Sequence, residues 1–429
     1  MEKSNFGIKL DDDAWGSLDP FIHEQMETRK KLHQWQQEAI DYFFNNDCHA
    51  IFFVATGTGK SYCAIQIIKE VWNKHPDMRI LVIVPKNVIL ERTWYTELVE
   101  NGVPYYDIGI FYGKIKEYAK ITLTNMQSMD VIDCEKFDFC IYDEIHNYGS
   151  ERMMYYVKYG FKYKLGLTAT IERMDNMHET MIREFNYNIF KYMPMEALAD
   201  KVLNDFDFTD VIVELDTNSR TEYEKIEQKI NLIYAQFGGY SKCMKSTSSS
   251  KFALLKLLHE RNKIVNNYPD KFEVIKKICA DRPEAKIIIF NQYNDQTNKC
   301  YWHLCDIGIR ARTVHSGINP KERNQVLDDF KNNIFNVLLT SKVLDEGYNL
   351  PQIDVGIMMA GDSTKKQTVQ RMGRVLRKKL HKSELIQIYC DKTIEERNSI
   401  ERGKLFKGLA SNYKKYRYDK YNNQLAEEV

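Results

Sequence analysis

Residues 55–61, Ala55-Thr56-Gly57-Thr58-Gly59-Lys60-Ser61, set two glycines beside a lysine and three hydroxyls. Glycines let successive backbone N–H groups turn toward one point, and that point suits phosphate oxygens. A lysine there reaches the β- and γ-phosphates of a nucleotide, and the serine hydroxyl is suited to Mg²⁺. Apolar residues 49–54 precede the segment and a helical pattern runs from Tyr62 to Trp72 after it, which is the context such a loop requires. Val54 stands where the general pattern has a leading glycine.

A second constellation is Phe137-Asp138-Phe139-Cys140-Ile141-Tyr142-Asp143-Glu144-Ile145-His146, an apolar run ending in two carboxylates. Asp143 is a candidate Mg²⁺ ligand alongside Ser61. Glu144 is a candidate general base for an attacking water. A third is Gln370-Arg371-Met372-Gly373-Arg374-Val375-Leu376-Arg377. On a continuous helix Gln370, Arg374 and Arg377 share one face. An arginine brought to a γ-phosphate neutralises transition-state charge, and Arg374 and Arg377 are equal candidates. The alternative for this segment is a basic helix facing solvent or nucleic acid.

Together these elements resemble the superfamily-two helicases of the DEAD/DEAH-box type, with Asp-Glu-Ile-His here. The likeness covers residues 31–380. Leu32-His33-Gln34-Trp35-Gln36 is similar to the element ahead of the P-loop, which implies an adenine contact for Gln36. The resemblance also implies that Ala55 to Ser61 and Gly347 bind nucleotide. Val82–Lys86 and Thr124–Ser128 look like the first domain's strand-gripping motifs, implying nucleic-acid contacts for Pro85, Lys86 and Thr124. Gly166-Leu167-Thr168-Ala169-Thr170 looks like the coupling motif, so that Thr168, Thr170 and His146 would link hydrolysis to strand movement. Ile287–Asn291 and Leu339–Pro351 look like second-domain motifs, with Asn291 at a nucleic-acid position and Asn349 where an aspartate is common.

The elements that must carry these residues are short apolar runs alternating with helices, the pattern of parallel sheets with crossover helices. The runs fall in two groups, before 170 and after 285. Two tandem RecA-like domains in the α/β class are therefore expected, at 31–200 and 276–400. Tyr223, Ile226, Ile230, Ile233 and Phe237 mark an amphipathic helix, and Ser219 with Glu222 reads as its capping box. Residues 201–275 read as a helical connector or as part of the second domain. Residues 1–30 read as an extension and 401–429 as a basic, aromatic tail. Tyr413, Tyr416, Tyr418 and Tyr421 in that tail either stack on bases or pack on the second domain.

Bulk properties exclude several classes. A chain of 429 residues is long for one core. Net charge is +1, so any nucleic-acid contact must come from local patches. The nine cysteines never occur as C-x-x-C and read as buried thiols. No apolar run approaches the roughly 20 residues of a membrane span, and the first residues carry no apolar signal segment, so a cytoplasmic protein is expected. The expected cofactors are ATP and Mg²⁺, and the expected partner is nucleic acid, with DNA ahead of RNA. The connector's style resembles DNA-repair and phage recombination helicases. A motor subunit of a restriction, defence or repair complex and an RNA helicase remain alternative readings.

Overall fold

The computed structural model describes residues 31–171, 176–246, 249–341, 350–359, 365–377, 379 and 381–428. Gly347, Asn349 and most of the second domain's 339–351 motif lie outside the described residues, as does the 1–30 extension.

The first half folds around eight strands: β1 (His49–Val54), β2 (Ile80–Val84), β3 (Ile108–Tyr112), β4 (Ile115–Lys116), β5 (Ile121–Asn125), β6 (Phe139–Asp143), β7 (Tyr163–Thr168) and β8 (Ile189–Tyr192). Their spatial order is β4-β3-β5-β2-β6-β7-β1-β8. All neighbours run parallel except the β3–β4 hairpin. Strands β2 and β6 are buried along their whole length, as continuous apolar runs covered on both faces should be.

The second sheet comprises β9 (Phe206–Val213), β10 (Ile287–Phe290), β11 (Ala311–Val314), β12 (Val337–Thr340), β13 (Val355–Met358), β14 (Ser383–Cys390), β15 (Asn412–Asp419) and β16 (Gln424–Glu427). The order is β11-β12-β10-β13-β14-β9-β15-β16, parallel up to the antiparallel β15–β16 hairpin. Two parallel sheets of this kind are the tandem α/β architecture expected from the sequence.

Three assignments change. Residues 206–213, placed in the helical connector, form a central strand between β14 and β15. Phe206 and Phe208 bury one face of it, and the interspersed Asp207 and Asp210 hide its strand character from a search for unbroken apolar runs. Helices do come after it, at Thr217–Phe237, Tyr240–Lys245 and Ser249–Asn266, joined by a small core of Ile226, Ile230, Cys243 and Leu254. The first of them is capped by Asp216, whose carboxylate accepts from Ser219 N at 2.8 Å, not by a Ser219–Glu222 box. Finally, residues 401–429 are not a tail. They finish the helix Ile394–Leu409 and add the β15–β16 hairpin to the sheet. Tyr413 stacks on Phe208 and donates to Asp210 at 2.7 Å, and Tyr418 is buried, whereas Tyr421 is exposed.

The described cysteines are all free, eight buried and Cys305 partly so. No helix among the described residues is long and apolar enough to cross a membrane.

Candidate nucleotide site between the two domains

In a parallel sheet the loops leaving the C-terminal strand ends share one edge, and register places them there together. Strand β1 delivers residues 55–61. Its Phe53 lies beside Thr168 of β7, and Leu167 of β7 lies beside Asp143 of β6. Glycine conformation shapes the loop: Gly57 has φ 85° and Gly59 φ 95°, both left-handed. Gly59 caps the helix Lys60–Lys74. Thr58 Oγ1 donates to Ala55 O at 2.8 Å and holds the turn closed.

Gln36 lies against this loop. Its Nε2 donates to Gly59 O at 3.3 Å and its Oε1 accepts from His33 N at 3.0 Å. Lys60 Nζ donates to Val54 O at 3.3 Å. Burial draws the Lys60 ammonium below the usual lysine value, with the charges of Glu144 and Asp143 pulling it back up.

Asp143 is buried, and both its oxygens are held: Oδ2 accepts from Trp94 Nε1 at 2.9 Å and Oδ1 from Glu144 N at 3.0 Å. Burial first, and the Glu144 charge second, push its carboxyl up to about 7, against the Trp94 N–H and Lys60. Glu144 has a left-handed backbone, φ 49° and ψ 54°, unusual for a residue with a side chain. That twist turns the second carboxylate away from the strand line, and its Oε2 makes no hydrogen bond.

His146 Nδ1 lies 2.8 Å from Thr168 Oγ1 and 3.4 Å from Glu144 Oε2. Thr168 Oγ1 donates to Thr170 O at 2.6 Å, which fixes Nδ1 as the donor toward Thr168. Glu144, His146, Thr168 and Thr170 thus form one linked group.

The second domain closes the site. The helix Lys365–Val375 brings Gln370, Gly373 and Arg374 to a cavity of about 540 Å³ lined also by Gln36, Thr56 to Ser61, Asp143 and Glu144. A Cβ on Gly373 would stand 1.8 Å from Thr56 Oγ1, and one on Gly57 would stand 2.6 Å from Gly373 O. Gly373 thus lets the second domain come up against Thr56 and Gly57 of the first.

Arg377 is a partial correction. The helix stops at Val375, so Arg377 does not share its face with Gln370 and Arg374. It sits in an isolated bridge with Leu203 and donates to Leu350 O at 2.7 Å. It lines the same cavity, with Glu97 as the charge bearing on it, while Arg374 bears on Lys60.

Two expected strand contacts are also revised. Thr124 is fully buried and donates to Phe111 O at 2.7 Å, inside the sheet. Asn291 is likewise fully buried. A surface groove beside the first domain is lined instead by Pro85, Lys86, Asn87, Asn125, Gln127 and Ser128, with Lys116 and Tyr112. Asn125 Nδ2 donates to Asn87 Oδ1 across it. Sequence reasoning missed Trp94 and Glu97 altogether.

Ser61 and Asp143, which line the cavity together, offer the hard oxygen donors that Mg²⁺ takes. Among the described residues no group of three or more His, Cys, Asp and Glu gathers around one point. A hydroxyl and one carboxylate are a donor set that Mg²⁺ would fit.

Residues 29–173 match the family model for the type III restriction enzyme res subunit, and residues 270–379 match that for the helicase conserved C-terminal domain. The DNA 3'-5' translocase XPB2 of Sulfurisphaera tokodaii is 27% identical over 92% of this chain and 89% of its own length. The DNA 3'-5' helicase XPB of Mycobacterium tuberculosis is 22% identical over 81% of this chain and 58% of its own. A Haloarcula marismortui relative, described as a putative DNA 3'-5' helicase Rad25, is 23% identical, and the aligned part spans about half of it, 51%. Among solved structures, yeast Dbp5 bound to RNA and ADP–BeF3 superposes with a TM-score of 0.64 at 14% identity, covering 95% of this chain and 96% of that one. The Pyrococcus furiosus Hef helicase domain gives 0.59 at 15%, covering 85% and 97%.

Proposed function

We propose that this chain, which is a superfamily-two helicase, is an ATP-driven motor that translocates on or unwinds DNA. Two domains that meet over one phosphate-binding loop carry the reading, since hydrolysis there changes how they contact each other.

In this reading the backbone of residues 55–61 cradles the phosphates, Lys60 draws on the β- and γ-oxygens, and Gln36 meets the adenine. Ser61 and Asp143 hold the Mg²⁺, which supplies charge neutralisation on the phosphates when bound. Glu144, whose Oε2 makes no hydrogen bond to the protein, orients the attacking water and accepts its proton. Arg374 faces Lys60 across the cleft and is the stronger of the two arginines for stabilising charge on the transferred group. Arg377, anchored on Leu350 O within its own domain, lies within the reach of the Glu97 charge from the first domain and supports the closed contact there. Linkage between Glu144, His146 and Thr168 gives the water-activating carboxylate a path to the loop after β7. Lys86, Asn87 and the groove beside them grip the sugar-phosphate backbone, which carries little sequence information.

DNA is favoured as the track by relatives whose names specify it. The test is ATP turnover by the full chain with single-stranded, duplex and forked DNA and with matched RNA. Stimulation by DNA is expected. Turnover that responds to RNA alone, or to no nucleic acid, would overturn the DNA reading.

A further inference from the structure

Trp94 sits on a stretch that is not regular helix. Asn87–Ile89 is α-helical, Leu90–Tyr95 is a π-helical turn, and Thr96–Glu100 is α-helical again. A π-turn places one additional residue in the turn, which rotates the succeeding residues by about 100° relative to an unbroken helix. Such turns carry a cost and persist where the redirected side chain has a use. Here the redirected region carries Trp94, fully buried, with its indole Nε1 2.9 Å from Asp143 Oδ2. A buried indole N–H usually takes any nearby acceptor. A backbone carbonyl would satisfy it as well as a carboxylate, so the pairing with the Mg²⁺-binding candidate is a specific choice of partner. The same stretch starts beside the groove at Lys86 and Asn87 and ends with Glu97 and Glu100 lining the nucleotide cavity.

We propose that Trp94 is a positioning residue for the metal-binding carboxylate: the π-turn aims its indole N–H at Asp143 Oδ2. The donor fixes the carboxylate plane, leaving the remaining lone pairs directed into the cavity for Mg²⁺. Glu144 N performs the matching task on Oδ1. This rests on the reading of the cavity as a Mg²⁺–ATP site. It goes beyond that reading in assigning a second layer of residues to the metal.

The experiment measures binding of a fluorescent ADP analogue to the full chain, with Mg²⁺ and with EDTA, for wild type and Trp94→Phe. Phenylalanine keeps most of the apolar ring and removes the donor. Wild type is expected to bind more tightly with Mg²⁺. In Trp94→Phe that Mg²⁺-dependent tightening should shrink by about tenfold, the cost of a hydrogen bond to a charged group, with EDTA binding unchanged. Trp94→His, which restores a ring N–H, should recover part of it. Full tightening in Trp94→Phe, or equal behaviour of the Phe and His variants, would overturn the proposal. A wild type indifferent to Mg²⁺ would instead sink the site reading beneath it. Should Trp94→Phe not fold, the indole N–H resonance of Trp94 in the ¹⁵N-labelled wild-type chain gives the same answer. It should shift when Mg²⁺ joins bound ADP, and an unmoved resonance would refute the role.

Discussion

Lys60 and Glu144 line one cavity but have separable duties. Removing the Lys60 ammonium takes away charge that helps bind the phosphates as well as the transition state. Lys60→Ala should therefore lose both nucleotide affinity and turnover. Glu144→Gln keeps the volume and removes only the base, so turnover should fall by roughly 10²–10⁴ while nucleotide binding persists. Single-turnover rates together with equilibrium binding separate the two, and wild-type turnover in either variant would break the site assignment. The arginines are likewise separable. Arg374→Ala should cost turnover on the order of 10³ with little change in affinity, in line with other arginines supplied to a γ-phosphate. Arg377→Ala should cost less, because its side chain is committed to Leu350 O. A larger loss at 377 would reverse their order. Lys60, Asp143 and Glu144 were legible only in combination: a glycine-spaced turn alone also suits a helix cap and a carboxylate pair alone a solvated strand end, but the two in order point to one phosphate site. Trp94 was not, because a tryptophan amid Leu90, Tyr95 and Leu98 reads as core, and nothing local announces a π-turn. Thr124 was misread for a related reason: a motif gives position along a strand, while pleat and twist decide which face a side chain takes.

At the scale of elements, the apolar strands declared themselves and the polar ones did not. Strands β2 and β10 are unbroken runs of isoleucine, leucine, valine and phenylalanine, and β6 is apolar up to its closing Asp143. Strand β9 carries two aspartates, and β15, Asn412–Asp419, is dominated by lysine, arginine and tyrosine. Its charges are used within the fold: Arg417 pairs with Glu428 at 2.6 Å and with Asp391 at 3.1 Å. The buried Asp210 is the common anchor, accepting from Gln387, from Tyr413 and from Lys407. Ending the chain after Ala410 should therefore destabilise the second domain, because it bares the edge of β9 and exposes Phe208. Burial of Tyr418 alone accounts for about 2 kcal/mol, and the melting temperature should fall by roughly 5 °C or more. An unchanged melting temperature would show the hairpin to be dispensable. Nucleic-acid affinity of the same truncated chain, followed across salt concentration, tests whether Lys414, Lys420 and the exposed Tyr421 also serve the track.

For the whole molecule, the decisive contact is between Gly373 and Thr56. The two domains approach so closely there that a single added methyl would collide. Gly373→Ala should leave each domain folded, since Gly373 meets its severest clash in the other domain, but hold the cleft open. Turnover should drop at least about tenfold with an unaltered circular dichroism spectrum, while nucleotide binding to the first domain survives. Full activity in this variant would mean that productive closure does not need this contact. The sequence pointed to a cleft through motifs on both sides. It could not reveal that closure depends on a missing side chain at Gly373 where it meets Thr56, because that property belongs to a pair of residues far apart in the chain.

Strand β9 has a consequence for how the protein is made. Its partners in β14 and β15 are some 177 and 205 residues further along the chain. While a ribosome is still synthesising the second domain, β9 therefore waits with both edges unsatisfied. Exposed strand edges recruit other strands, and closing such long loops is slow. The first domain has all of its strands by Tyr192 and is free to fold at once. Assembly is thus ordered in time, phosphate loop first and arginine-bearing half last. Tyr223 and Val265, on helices that emerge soon after β9, share a core with its Val211 and Val213 and so cover a face of the strand early, while its edges wait.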